Sequence, residues 1–147
     1  MQDDTAVLKS ILAEFCLKRL VRFEDFGSAE TSAHQDVLKI LADAMSEALE
    51  LFDDALFSEK PEGWRVKDSR PRAILTEFGE VAFTRRVYTD EFEDRRTYLD
   101  EIVALRPRKR LSPGAFQALA VFGSEIPYER AARVLFQIGR ASCRETV

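Results

Sequence analysis

Long apolar runs are missing from this 147-residue chain. None approaches the roughly 18 residues that a membrane-spanning helix needs, so no membrane partner is expected. Histidine occurs once, at His34, and cysteine only at Cys16 and Cys143. One histidine rules out a His-rich metal site. Two distant cysteines make neither a metal-binding spacing nor a disulfide framework. The opening Met1-Gln2-Asp3-Asp4 is acidic and lacks the basic first segment of a signal peptide, so a cytoplasmic location is expected. What remains is ordinary: 46% hydrophobic and 33% charged residues, neither disordered nor fibrous. These absences exclude secreted knots, membrane spans, zinc modules and long tails, and they leave the function open.

The net charge of −4 hides an asymmetry. Residues 1–63 hold 6 basic and 14 acidic side chains, residues 64–110 hold 12 and 9, and residues 111–147 hold 4 and 3. An acidic front and a basic middle suggest two jobs along the chain, because local charge governs attraction to phosphate.

Two helices are predicted in the first half. Val7, Leu8, Ile11, Leu12, Phe15 and Leu20 share one face, with Asp3 and Asp4 placed to cap the start and Lys18, Arg19 and Arg22 near the end. Phe23 to Thr31, containing Gly27 and Ser28, reads as a break. A second helix follows from about Ala33 to Phe57, with Ser32 and Gln35 at capping-box spacing. Its apolar stripe runs from Val37 through Ile40, Leu41, Met45, Leu49 and Phe52 to Leu56, and its opposite face carries Asp36, Asp43, Glu47, Glu50, Asp53 and Asp54. That stripe needs a cover: the first helix, or a second copy of the chain.

After Pro61-Glu62-Gly63 the period changes to that of strands. Ala73–Thr76, Val81–Thr89 and Arg95–Leu99 are rich in β-branched and aromatic residues and predict a three-stranded antiparallel meander, with Trp64-Arg65-Val66-Lys67 as a candidate edge strand. Gly79 sits where a tight turn needs positive φ. On the central strand Val81, Phe83 and Val87 point one way, and Arg86 and Tyr88 the other. One face is expected to be buried on a helix. Arg106-Pro107-Arg108-Lys109-Arg110 forms a basic connector. Ser112-Pro113 then looks like an N-cap followed by proline at the first helical position, opening a short helix to Gly123. Pro127 to Phe136 predicts another. Two short helices across a small turn are the first members of a helix-turn-helix whose third helix does not appear. The expected class is therefore α+β. Residues 1–63 form a helical hairpin for assembly, 64–105 a β-meander, 106–137 a basic linker with a truncated helix-turn-helix, and 138–147 a tail.

The stretch Phe78-Gly79-Glu80-Val81-x-Phe83-x-Arg85-Arg86-x-Tyr88-x-Asp90 resembles the N-terminal region of the Lre-type group of bacterial insertion-sequence transposases, once filed as an uncharacterised family. The likeness continues through Tyr98-Leu99-Asp100-Glu101, Leu111-Ser112-Pro113-Gly114 and Tyr128-Glu129-Arg130-Ala131-Ala132, in the family's order and spacing. It implies a longer parent that continues with a recognition helix and an RNase H-like domain whose three carboxylates hold two divalent metals. Two departures stand out: Pro127 replaces the family's usual serine, and Ile138 to Val147 reads as a non-native tail. The expectation is a truncated transposase, without catalysis, metal or cofactor of its own.

The carboxylate pairs Asp53-Asp54, Asp90-Glu91 and Asp100-Glu101, together with Asp94, fall on a helix face, in a turn and at a strand end. Two-metal phosphoryl chemistry needs convergence from separate strands, with metals ~3.5–4 Å apart, so these read as solvated faces and caps. The DNA-binding candidates are Arg85, Arg86, Arg95 and Arg96 on the strands, Arg106, Arg108, Lys109 and Arg110 in the linker, and Arg130 and Arg133 on the last helix. The strand arginines either follow a phosphate backbone or pair across strands with Glu80, Asp90 or Asp94. The linker either lies along DNA or merely solubilises. Arg130 and Arg133 would cross the backbone, leaving sequence-specific readout to the missing helix. His34 is expected exposed, Cys16 in the core, and Trp64 packing the hairpin onto a helix. Two functions follow. One is DNA binding and assembly for transposition, contacting transposon ends by their backbone. The rival is a dimerisation module whose arginines are structural.

Overall fold

A computed structural model describes residues 3–125. It is α+β, with the order α1 (Asp4–Arg22), α2 (Phe26–Ser58), β1 (Arg65–Thr76), β2 (Gly79–Thr89), β3 (Arg95–Arg96), α3 (Tyr98–Ile102) and α4 (Pro113–Glu125). The chain divides into two compact units, one up to Ile40 and one from Leu41 onward.

In the first unit, Asp3 occupies the N-cap position of α1 but its side chain makes no cap hydrogen bond; Ala6 N–H donates to the Asp3 carbonyl at 2.9 Å instead. Asp4 in the first turn and Arg19 and Arg22 in the last suit the helix dipole. No residue of α1 is buried, so Cys16, expected in the core, is exposed. The Arg19 guanidinium lies 3.3 Å from the Phe15 ring centre and donates to Asp36 of α2 at 2.6 Å.

The break between the helices is shorter than the sequence suggests, and α2 starts at Phe26 rather than Ala33. Asp25 is the reason. Its carboxylate accepts from Ser28 N–H at 2.8 Å and Ser28 Oγ at 2.7 Å, satisfying first-turn donors. Gly27 and Ser28 are thus the first turn of α2 and not a loop, and Ser32 lies within the helix.

In the second unit the sheet order is β1-β2-β3, all antiparallel. Trp64 precedes β1, and the candidate edge strand Arg65–Lys67 is the first part of one 12-residue β1. A bulge between Val66 and Asp68 shifts the register, and Pro71 is tolerated because β1 is an edge. Gly79 takes φ +116° where the hairpin closes. β3 shrinks to two residues, and Tyr98 and Leu99, expected in a strand, open α3.

Ile74, Val81 and Phe83 on the inner face of the sheet pack with Ala42 and Leu56 of α2 and Leu99 of α3, with Leu49, Phe78, Tyr98, Val103 and Leu105 around them. The sheet, then, is what covers this half of α2. On the opposite face Tyr88 is fully buried, with ring centres 5.9 Å from Trp64 and 6.4 Å from Tyr98. Ser112 caps α4 as expected, its Oγ accepting from Ala115 N–H at 3.0 Å, and α4 runs through Gly123. The predicted helix 127–136 and the tail lie outside the described residues.

Candidate nucleic-acid interface

Two populations stand out among the cations of the basic middle. Arg72, Arg85, Arg86 and Arg96 of the sheet are held by carboxylates. Arg85 shares side-chain parity with Val81, Phe83 and Val87, so it belongs to the buried face; Arg72 pairs with Phe83 from β1. Both converge on Asp100 of α3, which is 4% exposed. Its Oδ2 accepts from Arg72 Nη1 at 2.9 Å and from Arg85 Nε and Nη2 at 3.2 and 3.1 Å. Arg85 also donates to the Arg70 and Pro71 carbonyls.

On the other face Arg86 meets the end of α2. Its Nη1 donates to Asp53 at 2.7 Å and Asp54 at 2.8 Å, and its backbone N–H donates to the Asp53 carboxylate. Asp54 foremost, and Asp53 with it, raise the Arg86 pKa against the opposing cost of burial. Glu50 accepts from Thr84 N–H at 2.9 Å, so α2 covers the side of β2 that β3 leaves open. Arg96 donates to both oxygens of Glu101, at 2.7 and 3.2 Å, which raises its pKa. It also stacks 4.9 Å from Trp64 and reaches toward Asp90. Asp90 ties its own turn, accepting from Phe92 and Asp94 N–H at 2.9 Å each.

The second population is exposed: Arg95, Arg106, Arg108, Lys109 and Arg110. Among the described residues none of these five side chains forms an ion pair. Arg130 and Arg133 lie outside the described residues.

The solvated reading of the carboxylates needs correction. Asp53, Asp90 and Asp100 are not solvated; they are 3%, 4% and 4% exposed, Asp53 and Asp100 neutralising arginines and Asp90 tying its turn. Arg72 was missed altogether. Arg85, a DNA-contact candidate, shares the parity of Val81, Phe83 and Val87, a signal that could have placed it inward; nothing local marked the partner of Arg86, which lies 33 residues away. Trp64 packs on Tyr88 and, at 5.5 Å, on Tyr98. His34 is exposed as expected. Among the described residues no group of three or more His, Cys, Asp or Glu side chains is placed to hold a metal ion, and no helix is long and apolar enough to cross a membrane.

Fold and surface together define an α+β protein in which Arg72, Arg85, Arg86 and Arg96 of the sheet are ion-paired and the linker cations, among the described residues, are not. A model of the uncharacterised protein family UPF0236 matches residues 23–147, and the chain belongs to that family. A curated relative, the UPF0236 protein in vanSb 3'region of Streptococcus gallolyticus, is 26% identical over 111 residues, covering 74% of this chain and 25% of the relative. The chain thus spans about a quarter of the length of that relative. No solved structure matches it.

Proposed function

We propose that this chain is the DNA-contacting and assembly region of a longer insertion-sequence transposase. The carrying observation is the linker, which places Arg106, Arg108, Lys109 and Arg110 exposed within five residues and, among the described residues, without an ion pair. Exposed cations in this density neutralise successive phosphates and release counterions, which yields backbone contact without base readout. The transposase assignment draws on the order and spacing of the motifs from Phe78 to Ala132. The bulk of the parent lies beyond this chain in the reading, and strand cleavage and transfer belong there. Arg95 extends the contact surface. Arg85, Arg86 and Arg96 serve it from behind, by bracing the sheet through carboxylates.

The test is binding of the 147-residue chain to duplex DNA over a salt series. Replacing the four linker cations by alanine should flatten the slope of log K against log salt by about 3–4, at ~0.9 per phosphate contact. Absence of salt-sensitive binding at low ionic strength overturns the reading.

A second reading has its own observation. Val7, Leu8, Ile11, Leu17, Leu20 and Val21 of α1 are all more than half exposed. Exposed apolar side chains in this number along one helix fit a second copy of the chain. Sedimentation with and without DNA separates the readings: a dimer indifferent to DNA favours a pure assembly module.

A further inference from the structure

We propose that Arg72 is a positioning residue that holds residues 106–110 as a preformed cation display. The inference rests on the phosphate-contacting role of that segment. Arg72 is nearly buried, its side chain 11% exposed. One arm of its guanidinium, Nη1, donates to Asp100 at 2.9 Å. The other, Nη2, donates to the Arg106 carbonyl at 2.7 Å and the Lys109 carbonyl at 3.0 Å. A single planar fork therefore joins a buried carboxylate to two carbonyls of the linker, a geometry a lysine ammonium does not reproduce.

The ends of the segment are tied as well. Leu105 N–H donates to the Asp100 carbonyl at 2.8 Å before it. After it, Leu75 N–H donates to the Arg110 carbonyl at 2.7 Å, and Ser112 N–H to the Leu75 carbonyl at 2.9 Å. Inside the turn Lys109 N–H donates to the Arg106 carbonyl at 3.3 Å, and Arg108 takes φ +61°, a left-handed backbone that favours glycine. An arginine stands there at a conformational cost. The main chain is thus gripped by Arg72 while all five side chains, Pro107 included, remain exposed. Holding the cations in one arrangement beforehand lowers the ordering cost of binding a phosphate backbone.

The experiment has a DNA-free arm and a DNA arm. In the unaltered chain the bonds after Arg108 and Lys109 should resist trypsin despite their exposure. Arg72→Lys keeps the charge but loses the fork, and should speed cleavage there about tenfold or more, since cleavage tracks the open population. Arg65→Lys, at an exposed arginine paired with Glu93 and not with Asp100 or the linker, should leave that rate unchanged. Arg72→Lys should also weaken duplex binding several-fold at constant net charge. Cleavage of the unaltered linker at the rate of a free peptide of the same sequence overturns the proposal without any variant. So does an unchanged rate in Arg72→Lys, or faster cleavage with undiminished DNA affinity. If the four-alanine linker variant binds DNA normally, the DNA-binding role itself fails, whatever the trypsin arm shows, and the display falls with it.

Discussion

Asp53 and Asp54 are neighbours and meet the same guanidinium, yet their removal should differ sharply. Asp53 is 3% exposed and also accepts the Arg86 backbone N–H. Asp53→Ala strands the Arg86 backbone N–H and leaves Nη1 only the exposed Asp54, and should cost about 1–3 kcal/mol, the penalty of an unsatisfied buried donor. The Asp54 side chain is 64% exposed, and Asp54→Ala should cost only about 0.2–1 kcal/mol. Urea midpoints at unchanged slope check both. Tyr88 offers a second contrast. Among the described residues its buried hydroxyl has no hydrogen-bond partner, and burial raises its pKa above 10.0. The unfolded chain therefore releases this proton first. Stability should fall as pH rises from about 10 upward, as the unfolded state then binds fewer protons. Tyr88→Phe should remove that alkaline loss and leave neutral-pH stability equal or higher, because an orphaned buried hydroxyl is a net cost. Urea midpoints across the alkaline range decide it.

Elements end where particular side chains or backbone angles end them. Asp25 draws the start of α2 back to Phe26, and its hydrogen bonds with Ser28 lower its pKa below 3.8. Its contribution is present above that ordinary value and is lost as acid carries pH down through the lowered one. Asp25→Ala should speed amide exchange in the first turn of α2 at neutral pH, and this difference should vanish in strong acid. The glycines make a matched pair. Gly79 has open space around a would-be Cβ but φ +116°, so Gly79→Ala should cost about 1–3 kcal/mol from backbone strain alone. Gly114, within α4, would place a Cβ 3.0 Å from the exposed carboxylate end of Glu77, which can swing aside. Gly114→Ala should be neutral or stabilising by up to about 1 kcal/mol. Thermal unfolding of the two variants side by side tests the distinction.

For the molecule as a whole, salt should separate folding from binding. The pairs of Arg72, Arg85 and Arg86 lie in sheltered positions and are screened little, whereas the linker cations face solvent. Raising salt from ~50 to ~200 mM should weaken DNA binding about a hundredfold for four phosphate contacts. Over the same range the unfolding midpoint should hardly move. Parallel binding and urea titrations check this, and a midpoint that falls with affinity would show that the two charge populations are one.

Much of this architecture was legible beforehand. The periods of three to four and of two marked α2 and the β1–β2 hairpin, Ser112-Pro113 marked the start of α4, and the order of elements followed. The reason is local: helix faces, turns and caps are set by residues within a few positions of one another. The third strand was legible only at its start: Arg95–Leu99 has strand composition and Arg95–Arg96 do form β3, but Tyr98 and Leu99 open the short α3, which packs against β2. By itself, then, the sequence determined the α+β class, the basic segment and the kinds of charge available. The tertiary structure alone decided which arginines are engaged and which stay open. Arg86 finds Asp53, and Arg72 finds Asp100 and the linker carbonyls, across 28 to 37 residues. Only the burial of a carboxylate, which requires a countercharge to replace lost water, makes those distant choices.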